Sequence, residues 1–148
     1  MINWADITKQ TVTILSEDKD LQNIGVHTIE RGEVVNENPN RTPWIGVYRG
    51  RVDYEPRTLG RHAASFEATL QLRILFQEVS LYSAEECEDK IEAGVEKIIE
   101  ALWSDPSLNG TVDMLNSYSV EYGYSETESD SMYFQTAIIT VTMEVATG

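Results

Sequence analysis

Residues 64–78, ASFEATLQLRILFQE, alternate without a break. Ala64, Phe66, Ala68, Leu70, Leu72, Ile74 and Phe76 fall on one parity, and Ser65, Glu67, Thr69, Gln71, Arg73, Leu75 and Gln77 on the other. A period of two places one set on each face of a sheet, so this stretch is a strand and the domain is built around it. Straight, it spans about 50 Å at roughly 3.3 Å per residue, more than the body of a small domain. Residues 44–55, WIGVYRGRVDYE, are rich in aromatic and β-branched residues and form its hairpin partner through the turn EPRTLGRHA. The expectation is one domain over 1–148 that carries a long β-hairpin arm over 44–78, bent around the core or projecting beyond it.

The flanking segments supply helices. Trp4, Ile7, Thr11 and Ile14 recur at spacings of three and four behind Asn3, which predicts a capped helix over 3–16 that SEDKD ends. A short strand is expected in NIGVHTIERG, with Ile24, Val26 and Thr28 on one face, before the polar loop GEVVNENPNRTP. Ser83 and Glu86 form a capping box, and Cys87, Ile91, Val95, Ile98 and Leu102 make an apolar stripe. Glu85, Glu88, Asp89, Glu92, Glu96 and Glu100 occupy the opposite face. That helix stops hard at WSDPSLNGTVD: Pro106 cannot continue it, Asn109-Gly110 favours positive backbone angles, and Leu108 tucks under the helix end.

Two further strands follow, TVDMLNSYSVEYGY and MYFQTAIITVTMEV, joined by the polar tip SETESDS. In the first, Val112, Met114, Tyr118, Val120, Tyr122 and Tyr124 share a parity. The order α-β-β-β-α-β-β predicts an α+β fold, a mostly antiparallel sheet of four to five strands with two main helices packed on it.

Charge and composition exclude several function classes. With 25 acidic and 11 basic residues among 148, the net charge is −14, which works against tight nucleic-acid binding. A single cysteine forbids an intrachain disulfide and fits a reducing compartment. No apolar run approaches the roughly 18 residues of a membrane span, and MINWADITKQ lacks the basic and apolar regions of a secretory signal. The expected product is intracellular and soluble.

Catalytic constellations are sparse. Cys87 lies on an apolar helix stripe, where a cysteine packs as a small core residue. His62 with Asp53 or Glu55 could support acid–base work across the turn, and His62 with Asp53 is the pair worth testing. Glu85, Glu88, Asp89 and Glu92 have helical spacing but no histidine partner, so a solvated acidic face is the simpler reading. Neither SEDKD nor SETESDS has the register of a calcium loop, and GVYRGR is not a phosphate-binding loop. No cofactor, metal or catalytic residue is assigned, and a non-enzymatic role is expected. A small enzyme or ligand-binding domain, and an adaptor taking a peptide on a sheet edge, are the readings it competes with.

Five of the 11 basic residues, Arg41, Arg49, Arg51, Arg57 and Arg61, crowd into 21 positions around the hairpin. They are either a solvated edge or a contact surface for acidic neighbours. On the second reading Arg49, Arg51, Arg57, Arg61 and His62 face another subunit or partner, with Leu59 as an apolar anchor.

The element order, the segment WSDPSLNGTVD, the late strand SMYFQTAIITVTM and the central hairpin resemble the tail terminator proteins of tailed bacteriophages (minor tail protein U-like). The related head–tail connector and tail completion proteins of the neck are the alternative resemblance. The resemblance implies a subunit of a homo-oligomeric ring, usually a hexamer, in the tail or neck of the virion, assembled in the host cytoplasm. Such a ring sits on the last layer of tail tube protein, stops its growth, meets the head–neck connector protein and lets double-stranded DNA pass without specific binding. It takes no cofactor and no membrane. Lumen-facing acidic candidates are then Glu85, Glu88, Glu92 and Glu96 on the helix, and Glu126, Glu128 and Asp130 in the SETESDS tip. Residues 32–43 depart from the resemblance, being longer and more polar than a minimal terminator needs.

Overall fold

The computed structural model describes residues 2–26, 28–32, 42–56, 66–125 and 133–147. His27, Arg41, Arg57, Leu59, Arg61, His62, Glu126, Glu128 and Asp130 lie outside the described residues.

Helix α1, Trp4–Glu17, starts where Asn3 accepts a hydrogen bond from the Asp6 amide at 3.2 Å. Asp18 then ends α1 and caps a second short helix, α2, Lys19–Asn23, by accepting from the Leu21 amide at 3.0 Å. This extra turn buries Leu21 and was not expected from SEDKD, which reads as a terminator. It also corrects the expected first strand: Ile24 caps α2 and Val26 is buried ahead of the strand, which begins only at Thr28.

The strands are β1, Thr28–Arg31, β2, Trp44–Pro56, and β3, Phe66–Ser80. Helix α3, Ala84–Trp103, follows, then β4, Met114–Ser125, and β5, Tyr133–Thr147. They form one sheet in the order β1-β2-β3-β5-β4. Only β1 pairs in parallel, so the architecture is α+β with a five-stranded, mostly antiparallel sheet.

The alternation over 64–78 sets the layers. Leu70, Leu72, Ile74 and Phe76 point to the inner face with Met143, Val141, Ile139 and Ala137 opposite them on β5. α1 packs there over β1 and β2, and α3 over β3 and β5. β4 extends past α3 as the outermost strand.

The pairing changes what the 44–78 hairpin is. All of β3, from Phe66 to Ser80, pairs with β5 on the side away from β2. The hairpin is therefore not a two-stranded ribbon in search of support, because β5 runs the length of β3 and supplies its second partner. Within β2 the register slips by one residue between Arg49 and Val52. Gly50 allows this bulge: a Cβ there would meet the Gln71 carbonyl oxygen at 2.6 Å. A second bulge between Leu115 and Ser117 puts Leu115 on the inner face and leaves Met114 exposed, reversing the phase expected at the start of β4.

Two packing features invite substitution. Gly94 of α3 rests on the Phe76 ring, and any Cβ at 94 overlaps it. Gly94→Ala is expected to destabilise the fold by about 1–3 kcal/mol from overpacking, partly offset by the roughly 1 kcal/mol gain in helix propensity. A lowered urea midpoint checks it. On the outer face, the fully buried Gln77 side chain has no hydrogen-bond partner for either of its polar atoms among the described residues. Gln77→Leu, close in volume, should raise stability by about 1 kcal/mol in the same titration.

Candidate functional site

The sheet ends in two edges of opposite chemistry. At the β1–β2 edge, Arg49 faces the inner side of β2, paired with Leu72. It lines an open cleft of about 660 Å³ with Trp4, Thr8, Arg31 and Tyr48. Arg31 is fixed there: its Nε donates to the Thr8 hydroxyl at 2.9 Å, which donates in turn to the Trp4 carbonyl at 2.8 Å. Arg51, thrown outward beside the bulge, donates from Nε to Asp53 at 3.1 Å. Both side chains of that pair are more than half exposed, so it adds little stability. It does occupy Asp53, the carboxylate that the acid–base reading needed for His62.

Of the expected contact residues, then, Arg49 and Arg51 are at the exposed end of β2, while Arg57, Leu59, Arg61 and His62 lie outside the described residues. Arg31 was missed from the sequence. Its place beside Arg49 depends on the parallel β1–β2 register, where Arg31 pairs with Val47, and no local pattern announces that.

Between the sheet's centre and its opposite edge, α3 carries Glu85, Glu88, Asp89, Glu92, Glu96 and Glu100 on its exposed side, with Glu88 and Glu92 nearest β4. Lys97 neutralises part of this charge, 3.4 Å from Glu100 and 3.9 Å from Asp20. Because α3 seats on β3 and β5, the inner face of β4 stays open, and Tyr118 and Tyr122 are 50% and 54% exposed. The Trp103 ring at the end of α3 meets Tyr118 edge-on at 5.3 Å. Tyr122 lies beside Glu88 and Glu92 in a shallow hollow of about 160 Å³. Partial burial, then the Glu92 carboxylate and Tyr118, hold its phenol above the ordinary value.

Among the described residues, Cys87 and Glu78 are the buried groups that titrate. Cys87 lies in the core, its Sγ donating to the carbonyls of Tyr133 at 3.4 Å and Glu78 at 3.6 Å. Burial and then the Glu78 carboxylate push the thiol up, which keeps it protonated and unreactive. Glu78, nearly buried on the inner face of β3, is pushed up by burial, an effect opposed by the Val79 amide and by Lys90. Among the described residues no group of three or more His, Cys, Asp or Glu is placed to hold a metal, and no helix is long and apolar enough to cross a membrane.

No protein-family model matches the chain, and no curated protein matches it. Among solved structures it is similar to a chain of the "Virion of native gene transfer agent (GTA) particle". That match has 12% identity and a TM-score of 0.37, and covers 90% of this chain and 91% of the other.

Glu78 gives a pH prediction. Its folded-state pKa lies above the unfolded value, so the folded chain holds the proton more tightly. Its contribution to stability is full below the unfolded pKa and is lost as pH rises through the folded one. Glu78→Gln keeps an oxygen acceptor for the Val79 amide and removes the charge. Thermal melts from pH 4 to 8 should show the variant more stable than the parent at neutral pH, with the difference closing toward pH 4.

Proposed function

We propose that this chain is a virion structural protein, a phage tail terminator that assembles into a ring and has no catalytic role. As the element order suggests, the ring, taken as a hexamer, caps the tail tube protein and blocks further subunits from adding. Its opposite face meets the head–neck connector protein. Double-stranded DNA passes through the hole, where carboxylates lining the wall repel the phosphates and keep the duplex from sticking.

The observation that carries this reading is the far end of the β2–β3 hairpin. There Tyr54 and Phe66 meet edge-on, with centroids 6.2 Å apart, yet remain 50% and 37% exposed. They sit on the face that is covered by helices elsewhere. An aromatic pair this exposed, followed in the sequence by Arg57, Leu59, Arg61 and His62, has the composition of a contact surface.

Negative-stain images of the purified protein should show closed rings with a hole wide enough for a duplex. The double change Arg57→Glu, Arg61→Glu should disperse them while leaving the circular dichroism spectrum unaltered. A monomer at every concentration tested refutes the assignment.

A further inference from the structure

The two edges of the sheet fit each other. We infer that the cationic β1–β2 cleft of one copy receives the acidic, tyrosine-bearing α3–β4 edge of a second copy, with Arg49 meeting Glu92. This deepens the ring reading and rests on it, because it names the surfaces through which neighbouring subunits join.

Position comes first. β1 and β4 are the outermost strands of the sheet, and α1 and α3 lie on the same face and touch each other. Two copies set side by side in the same orientation therefore bring the β4 edge of one against the β1 edge of the next, helix layer beside helix layer and sheet beside sheet. Chemistry agrees with position. The cleft is lined by two arginines, Arg31 and Arg49, beside Trp4. The other edge presents Glu92, with Tyr118 and Tyr122 half exposed beside it. Guanidinium groups bind carboxylates and stack on aromatic faces, and Arg, Tyr and Trp are the side chains that dominate protein contacts.

The same charges select the symmetry. A twofold contact through either edge would set arginines against arginines or carboxylates against carboxylates, which is repulsive. Only the head-to-tail pairing is attractive, and head-to-tail pairing builds rings or filaments rather than closed dimers. It also moves Glu88 and Glu92 from the lumen wall to the subunit junction.

Charge reversal tests it, with sedimentation velocity reading assembly and circular dichroism reading fold. Arg49→Glu alone and Glu92→Arg alone should each weaken self-association at least tenfold. Mixed in equal amounts they should reassemble, because every junction is then either the parent pair or the reversed pair. Should Arg49→Glu not fold, Arg49→Gln is measured in its place, and a several-fold weakening is expected. Variants that assemble like the parent, or folded variants that stay apart when mixed, overturn the junction while parent rings still support the function. If assembly follows the reversal pattern but yields open filaments, the junction stands and the terminator reading fails. A monomeric parent overturns both.

Discussion

The close approach of α3 to the sheet at Gly94 and Phe76 fixes the rest of the molecule. Without a side chain at 94, the helix drops onto the Phe76 ring, and Ile91, Ile98 and Leu102 reach the inner face of β3 and β5. Close packing leaves little freedom in where the helix sits. The exposed stripe of carboxylates is therefore held at one side of the slab, and β4 is left uncovered with its tyrosines open. A bulkier residue at 94 would lift the helix and loosen both.

The strongest local signals in the sequence are found in the fold. The 64–78 alternation is the central strand, and the apolar stripe from Cys87 to Leu102 is the buried side of α3. Ser83 caps that helix by accepting from the Glu86 amide at 3.0 Å, although Glu86 accepts from the Ser80 hydroxyl instead of closing the expected box. In the stop after Trp103, Leu108, Asn109 and Gly110 take φ of 47°, 56° and 81° in succession, and Leu108 is fully buried. Here the sequence pattern works because the determinants lie within a few residues of one another.

What escaped is non-local. The parallel pairing of β1 with β2 joins residues 16 apart in the chain, and that register brings Arg31 beside Arg49. Each bulge inserts one residue whose effect shows only against the partner strand, which is why Met114 and Leu115 exchange faces. The role of β5 was hidden for the same reason. Its own alternation predicts a strand, but not that it lies between β3 and β4 and pairs with β3 along its whole length. The candidate site is less legible than the fold, since of the arginine cluster named from composition Arg49 lines a cleft and Arg51 makes a surface ion pair, while Arg41, Arg57 and Arg61 lie outside the described residues.

Self-association of a chain with net charge −14 has to overcome repulsion between copies. Uniformly spread, that charge would keep subunits apart. Arg31, Arg49 and Arg51 stand at the β1–β2 end of the slab, and Glu88 and Glu92 beside β4, a separation that on the proposed junction changes the sign of the interaction at short range. The Debye length near physiological ionic strength is about 8 Å, so distant repulsion is screened while groups in contact still attract. On the proposed junction, the exposed tyrosines of β4 would add burial that salt does not weaken. Whether an acidic subunit can join its neighbours then depends on where a few arginines sit rather than on the total charge.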